Sequence, residues 1–326
     1  MTGKTRLVGG HIGTGSGVIV VVTRDWGMQM DDETGWLADR FEEHRPRLRA
    51  VAYRMLGSLT EADDAVQDAW LRVSRAGAAE VGNIGGWLTT VVARVCLNML
   101  RGRNRRREES LSVHLPDPIV SVEGALQPED EALLADSVGL ALQVVLDTLS
   151  PAERLAFVLH DLFELPFDEI APMVGRTPDA ARQLASRARR RVKGAETRSQ
   201  DTDVARQRAV VSAFYAAARG GSLEDLMAVL DPDVVLREDF GPRRPAVPSV
   251  VRGAEAVARQ AKLGARLDAE LHPALVNGAA GMVVTIRGRP FALMAFTVVG
   301  GRIAEIDVIA DPKRVGRVAA AVLTNR

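Results

Sequence analysis

Apolar residues recur at intervals of three and four positions between residues 150 and 193, which predicts several helices in close succession. The first begins with a capping serine, Ser150, with Pro151 at the first helical position and Glu153 as the reciprocal partner of a capping box. Its apolar positions are Leu155, Val158, Leu159 and Leu162. Cap and apolar stripe agree on where this helix begins and which side it buries.

A second, shorter helix is predicted over residues 167–174, and Gly175 forms the turn after it. Thr177 and Pro178 then open a third helix. Its apolar side consists of Ala181, Leu184, Ala185, Ala188 and Val192. Its polar side consists of Asp179, Arg182, Gln183, Ser186, Arg187 and Arg190. Such a helix suits the major groove of DNA, which predicts a helix-turn-helix; the alternative is an amphipathic helix with a solvated basic face.

Two helices are predicted ahead of this motif, over residues 33–57 and from Thr60 onward, with Thr60 and Asp63 as the caps of the second. The exposed side of the second helix consists of Asp64, Gln67, Asp68, Leu71 and Arg72. A single exposed leucine such as Leu71 is common on protein surfaces. Placed among acids at helical spacing, it also indicates a face on which a partner protein docks.

The next pattern is a loop over residues 83–86 followed by a long helix over residues 87–106. Beside its apolar side runs a separate polar row at helical spacing, formed by Arg94, Asn98, Arg101 and Arg105. Such a row is typical of a surface that follows a phosphate backbone, and the alternative is a solvated basic face. Cys96 is predicted to pack between helices, because no neighbouring base is identifiable that would make it a nucleophile.

Residues 108–131 break the helical pattern with proline, serine and acidic residues, and their Leu115-Pro116-Asp117-Pro118 run cannot be helical. We therefore predict a linker there and a helix over residues 132–149. Beyond residue 194, helices are predicted over 204–218, 223–229 and 254–267, strands over 234–237, 282–286, 291–299 and 303–309, and a long loop over 238–248. Helices followed by antiparallel strands indicate an α+β domain.

Composition narrows the function classes. The net charge of the 326 residues is zero, but two basic blocks, residues 101–107 and 187–193, concentrate the positive charge. A single cysteine excludes an intramolecular disulfide and a multi-cysteine zinc site, which fits the cytoplasm. No apolar run is long enough for a membrane span, so no membrane contact is expected. Residues 1–30 are glycine-rich without the ending of a phosphate-binding loop, and we expect a flexible tail.

Two helical modules joined by a proline-containing linker resemble a bacterial sigma factor of the extracytoplasmic-function group, which keeps only regions 2 and 4. The run from Glu61 to Leu71 resembles the region 2 segment that binds the clamp helices of RNA polymerase. The run from Trp87 to Arg94, with the arginines after it, resembles the part that reads and melts the −10 element. Residues 167–191 resemble the region 4 reader of the −35 element.

The remainder resembles the subgroup with a C-terminal SnoaL-like domain, a cone-shaped α+β fold. Leu115-Pro116-Asp117-Pro118 is similar to its linker motif, and Asn277, Gly278 and Gly281 match its Asn-Gly-x-x-Gly turn. Its glycine-rich Asp-Gly-Gly-Gly-Arg/Lys loop falls at residues 239–243, where only Asp239, Gly241 and a basic residue are kept. In this subgroup the extension controls sigma activity in cis, in place of a separate anti-sigma protein.

The resemblance implies a multidomain chain: a tail over residues 1–30, all-α region 2 over 31–107, the linker over 108–131, the all-α helix-turn-helix of region 4 over 132–194, and the α+β domain over 200–326. It implies core RNA polymerase, at its clamp helices and flap, and promoter DNA as partners. Polymerase contacts fall on Asp64, Gln67, Asp68 and Leu71. Contacts to −10 DNA fall on Arg94, Asn98, Arg101 and Arg105, and the loop over 83–86 is placed to take a flipped base. Contacts to −35 DNA fall on Thr177, Arg182, Gln183, Ser186, Arg187 and Arg190. Regulatory contacts fall on Leu115, Pro116, Asp117, Pro118, Asp239, Gly241, Asn277, Gly278 and Gly281. No cofactor or metal is expected.

Two other hypotheses compete with this one. A helix-turn-helix regulator with a ligand-sensing C-terminal domain needs no polymerase face, so the acidic helix with Leu71 argues against it. An enzyme is the third, because SnoaL-like folds also host cyclases and isomerases that use an acidic or histidine general base. Asp239 and His272 are the candidate bases here. Fold alone does not confer activity, and we expect no catalysis.

Overall fold

The computed structural model describes residues 26–76, 82–107, 115–121, 140–195, 201–241, 250–265 and 268–323. The predicted tail over residues 1–30 lies outside the described residues up to residue 25, as do the first part of the predicted helix over 132–149 and most of the predicted loop over 238–248. Residues 26–30 are helical, so the tail prediction is wrong there. In the part of the chain that is described, no helix is long and apolar enough to cross a membrane.

Three helices open the described chain: α1 (Trp26–Leu56), α2 (Leu59–Ala76) and α3 (Ile84–Arg107). The caps differ from those predicted. Ser58, rather than Thr60 or Asp63, precedes α2 and accepts the Glu61 N–H at 3.5 Å, and Asp63 pairs with Arg49 instead. The predicted loop over 83–86 is wrong beyond its first residue, because the Asn83 side chain accepts the Gly86 N–H at 3.0 Å and the helix starts at Ile84.

Four helices and a π-helical turn form the second group: α4 (Leu140–Asp147), α5 (Pro151–Phe157), the turn Val158–Leu162, α6 (Phe167–Val174) and α7 (Pro178–Ala195). The capping box of Ser150 and Glu153 is present in both directions, as predicted. Gly175 ends α6 in the left-handed conformation, with φ 66°, which glycine adopts without steric cost. The predicted apolar side of α7 is buried throughout.

The two helical groups share one hydrophobic core. Polar contacts cross the same boundary: Arg154 donates through Nε to the Arg54 carbonyl at 3.1 Å, and the Gln143 amide donates to the carbonyl of Arg54 at 3.3 Å. The Arg154 side chain is 2% exposed and pairs with Asp147. A buried arginine is tolerated only with such partners, so the residues around it set how α5 lies against α1.

The C-terminal helices and strands are α8 (Val204–Gly220), α9 (Leu223–Val229), β2 (Leu230–Asp239), β3 (Val250–Arg252), α10 (Ala254–Gly264), β4 (Ala269–Val276), β5 (Ala279–Ile286), β6 (Arg289–Val299), β7 (Arg302–Ile309) and α11 (Pro312–Leu323). Strand β1 (Val120–Ser121) comes from the predicted linker. The sheet order is β1-β4-β5-β6-β7-β2-β3. The α+β class is as predicted, but the sheet is mixed rather than antiparallel, because β2 runs parallel to β7.

Two features of this sheet were not predicted. Strand β4 contains Pro273, which has no backbone N–H to donate. Among the described strands only β5 pairs with this part of β4, so Pro273 lies on an edge of the sheet, where proline is tolerated. Strand β1 pairs with the end of β4, Val120 opposite Val276 and Ser121 opposite Leu275. The linker between the two helical groups is therefore hydrogen-bonded into the sheet of the C-terminal domain.

Candidate functional site

The acidic side of α2 is a surface, as predicted. Asp64 and Gln67 are exposed, and Leu71 keeps 44% of its area in solvent. Asp68 is partly exposed and pairs with Arg72, Nη2 to Oδ2 at 2.7 Å. Neighbouring Trp70 is anchored on the other side against Phe41, with ring centroids 5.1 Å apart. We call Asp64, Gln67, Asp68 and Leu71 the acidic face. Its leucine points into solvent beside two carboxylates, because the opposite side of the helix packs against the core.

The basic row of α3 is also at the surface. Arg94, Asn98 and Arg101 are exposed, while the side chain of Arg105 lies outside the described residues. Cys96 is fully buried on the packing side of the same helix, and burial raises the pKa of its thiol far above the ordinary range. A buried thiol with so high a pKa is a packing group rather than a nucleophile.

Helix α7 presents its polar side outward. The exposed members are Thr177, Arg182, Gln183, Arg187 and Arg190, and Ser186 is half-buried. Thr177 accepts the Ala180 N–H at 3.3 Å and caps the helix. Arg182 pairs with Asp179 and lies over the Phe167 ring, and Arg187 Nε lies 3.3 Å from Glu153. The pair of Arg182 and Asp179 is exposed on both sides, and such pairs contribute about 0–1 kcal/mol, so Arg182 can readily exchange it for a phosphate or a base edge.

The linker is held to the C-terminal domain by one arginine. Arg314, at the start of α11, donates to the Leu115 carbonyl and to the carboxylates of Asp117 and Asp239, each at 2.5 Å. Asp239 also accepts the Leu115 N–H at 2.8 Å. Arg314 is 9% exposed and Asp239 2%. Around these residues Leu115 packs with Ile309 and Val315, so the contact is both charged and apolar.

A second anchor lies four residues along the linker. The Asn277 side chain accepts the Ile119 N–H at 2.7 Å, and the Asn277 N–H donates to the Ile119 carbonyl at 2.8 Å. Tyr53 of α1 donates to the Asp117 carbonyl at 3.0 Å and reaches Asn277 Oδ1 at 3.4 Å. Burial raises the pKa of Tyr53 to about 12, so its hydroxyl stays a donor. We call residues 115–121 with Asp239, Asn277 and Arg314 the linker clamp.

The remaining predicted regulatory residues shape this clamp rather than bond across it. Pro116 and Pro118 are buried, with Pro116 against Gly57, whose carbonyl accepts the Asp117 N–H at 2.7 Å. Asn277 and Gly278 form a turn with φ of 48° and 79°. Gly241 donates to Asp239 Oδ1 at 2.9 Å, and a Cβ there would lie 2.1 Å from the Asp311 carboxylate. Asp239 itself is the last residue of β2, not a loop residue.

Comparison with known proteins identifies the family of this chain. Residues 40–106 match Sigma-70 region 2 and residues 139–192 match Sigma-70 region 4. The chain is 36% identical over 287 residues to "ECF RNA polymerase sigma factor SigJ" of Mycobacterium tuberculosis, covering 84% of this chain and 91% of that protein. The chain belongs to the ECF RNA polymerase sigma factors. It directs promoter-specific initiation of transcription.

A further relative, and the crystal structure of SigJ itself, extend over most of this sigma factor. "Probable ECF RNA polymerase sigma factor SigI" of M. tuberculosis is 34% identical over 278 residues, covering 82% of this chain and 91% of that protein. The crystal structure of M. tuberculosis SigJ superposes with a TM-score of 0.66 at 34% identity, covering 85% of this chain and 97% of that chain. The C-terminal α+β domain is thus part of the shared fold and not an addition peculiar to this chain.

Three residues were missed from the sequence of this sigma factor: Arg314 of the linker clamp, and Tyr53 and Gly57, which bond to Asp117 of the clamp. Tyr53 lies among apolar residues of the first predicted helix and is one of only two tyrosines in the chain. A tyrosine in such a position usually has a hydrogen-bond partner for its hydroxyl, and this could have indicated a specific contact. Arg314 follows Asp311, whose carboxylate accepts the N–H groups of residues 313 and 314, so a helix start was visible there. Its distant partners were not visible, because no local pattern reports a contact across 197 residues.

We expect Gly281→Ala to destabilise the fold by about 1–3 kcal/mol, the usual cost of overpacking a core. A Cβ at this position would lie 2.3 Å from Val276 Cγ2 and 2.9 Å from the Met294 carbonyl oxygen. Val276 is opposite Val120 of the linker strand, so the shift also disturbs the clamp. Chemical unfolding measures the change. Gly316→Ala is the control, because a Cβ there would meet no atom of the described residues within 4 Å apart from its own helix backbone and chain neighbours. An equal loss in both variants would contradict the packing argument.

Proposed function

We propose that the acidic face of α2 docks on the clamp helices of core RNA polymerase and that region 4 contacts its flap. Leu71 carries this assignment, because it is a large apolar side chain held 44% exposed on an otherwise well-packed helix. An exposed leucine ringed by Asp64, Gln67 and Asp68 supplies an apolar centre with a charged rim, the usual anatomy of a docking site.

We propose two DNA surfaces. Arg94, Asn98, Arg101 and Arg105 hold the −10 region, with the exposed Gly82–Asn83 segment ahead of α3 closest to a flipped base. The −35 duplex is read by the polar side of α7, consisting of Thr177, Arg182, Gln183, Ser186, Arg187 and Arg190. The solvent exposure of these rows supports the assignment, since each row faces away from the shared core.

We also propose that the C-terminal domain controls the sigma factor in cis through the linker clamp, so that no separate anti-sigma protein is required. The observation that carries this is Arg314, which joins two linker residues to β2 of the C-terminal domain. Because the linker separates regions 2 and 4, holding it restricts the distance between the two DNA-reading surfaces. A domain tethered in the same chain needs only weak contacts to do so.

In vitro transcription with core polymerase tests this proposal. The full-length chain is compared with a chain ending at Gly194, on the DNA upstream of its own gene. We expect both to transcribe and to differ in promoter preference or yield. Equal transcription by the two chains would contradict control in cis, whereas transcription by neither would contradict the sigma assignments above.

Substitutions in α7 and α3 are expected to differ in kind. Arg182→Ala and Gln183→Ala should change which −35 sequences are used, by about 1–3 kcal/mol for each base edge that the variant no longer binds. Arg94→Ala should weaken binding to all promoters alike and reduce the salt dependence, because phosphate contacts position without specifying. Binding to a panel of −35 variants at two salt concentrations measures both. If Arg182→Ala weakens every variant equally, α7 is not the reader.

We propose no catalytic role for the C-terminal domain. Of the two candidate bases, Asp239 is engaged by Arg314 and Leu115, and His272 Nε2 lies 2.9 Å from Thr285 Oγ1 inside the sheet. Among the described residues no group of three or more histidine, cysteine or acidic side chains is arranged to hold a metal ion. We propose that the protein acts with polymerase and DNA in the cytoplasm, since transcription takes place there.

A further inference from the structure

The C-terminal domain contains a cavity of about 280 Å³ between its sheet and helices α8 and α10. Its wall is mostly apolar and includes Phe214, Leu236, Phe291 and Met294. Small-molecule sites in proteins are typically concave, apolar and supplied with one or two polar groups that fix the ligand's orientation. This cavity does not touch the acidic face, the DNA-facing rows or the clamp residues, so the role of the chain as a sigma factor leaves it unexplained.

One carboxylate belongs to the wall of this cavity. Glu238 receives a hydrogen bond from Gln260, but its Oε2 atom is buried and has no hydrogen-bond partner among the described residues. Burial raises the pKa of Glu238 for the same reason. Across the cavity the Tyr215 hydroxyl donates to the Met294 sulfur at 3.0 Å, a weak acceptor. An apolar cavity thus carries one unmatched strong acceptor.

We propose that this cavity binds a small apolar molecule whose single polar end is a hydrogen-bond donor, a hydroxyl or an amine, and that this end bonds to Glu238. The apolar body fills the space between Phe214, Phe291 and Met294. Arg219 also belongs to the wall, but its side chain is exposed and donates to the Ala269 carbonyl at 2.6 Å. An anionic head placed at Glu238 is rejected, because it would bring a second negative charge to a buried carboxylate.

The ligand site lies one residue from the linker clamp. Successive side chains of a strand point to opposite faces. On β2, Glu238 faces the cavity while Asp239 binds Leu115 and Arg314 on the other face. A ligand that moves this strand end would therefore act on the clamp.

Three probes with the same chain length and different heads test the proposal: octan-1-ol, octylamine and octanoate. Each is titrated at pH 8 into the full chain carrying ¹³C-methyl methionine, and the Met294 signal, assigned with Met294→Leu, is followed. Exposed Met227 is the internal control. We expect the alcohol, the amine or both to shift the Met294 signal at concentrations about tenfold below those needed for octanoate. The arm that responds identifies the head group.

Glu238→Gln keeps the side-chain shape and removes the charge. If the amine is the ligand class, its affinity should fall about tenfold in Glu238→Gln. If the alcohol is the ligand class, Glu238→Gln should still bind it. Ala261→Phe, which fills the cavity, should then abolish the shift of the Met294 signal. Glu255→Gln, on the exposed side of α10, should change neither. Equal binding of all three heads to the unmodified chain, or no shift of Met294 by either donor probe, would overturn the proposal without reference to any variant.

Discussion

Arg314→Ala should release the linker and cost about 3–5 kcal/mol of folding stability, as expected when one partner of a buried ion pair is removed. The substitution leaves Asp117 and Asp239 close together with no cation between them, and Asp239 has almost no contact with water. The Leu115 carbonyl loses its donor at the same time. These losses all fall on the contact between linker and C-terminal domain.

Chemical unfolding and transcription in vitro together measure this effect. Lys313→Ala is the matched control, because Lys313 is the exposed neighbour in the same helix turn. Removing residues 312–326 should change transcription in the same direction as Arg314→Ala, and Asp117→Ala should reproduce part of it. Full stability and unchanged transcription in Arg314→Ala would show that the clamp does not hold the linker.

Leu71→Glu combined with Asp68→Arg should abolish binding to core polymerase while leaving the helix-turn-helix folded. A charge reversed at a docking surface produces like-charge contact and costs several kcal/mol. Folding should be spared, because both side chains point outward and their neighbours Ala69 and Val73 carry the packing. A pull-down with core polymerase measures binding, and circular dichroism verifies the helices.

Leu263→Glu is the control for this pair, since Leu263 is an equally large apolar side chain, 57% exposed, on the C-terminal domain. It should leave core binding intact. Unchanged core affinity in the double variant would remove the acidic face from the polymerase contact and strengthen the alternative of a helix-turn-helix regulator that acts without polymerase docking.

Local patterns predicted the helical half of this chain well, because the signals there are short-range. The capping box of Ser150 and Glu153 uses residues three apart, and the buried stripe of α7 repeats at the helical period. The same logic failed at Thr60, which lies inside the helix, while Ser58, directly before the first helical residue, accepts the N–H group. Helix ends are where neighbouring polar residues compete for the same free N–H groups.

Long-range features escaped the sequence analysis. Strand β1 is two residues long and is formed by pairing with the edge strand β4. A two-residue strand is too short to show a periodic pattern in the sequence. The polar group in the C-terminal cavity was missed by one position, Asp239 being named where Glu238 lines the wall. The register of a strand decides which face of the sheet each side chain points to, and a shift of one residue reverses every side chain.

The clamp lies closer along the chain to region 2 than to region 4, so the two regions can move to different distances from it. Arg107 at the end of α3 is eight residues from Leu115, so the chain between them spans at most about 28 Å. Ser121 is 19 residues from Leu140, a reach of about 65 Å. The two helical groups share one core, so either can move only when that core opens. If it opens while the clamp stays closed, the length of the connecting chain allows region 4 to lie farther from the clamp than region 2. We therefore expect region 4, rather than region 2, to adjust to promoters with different distances between the −10 and −35 elements.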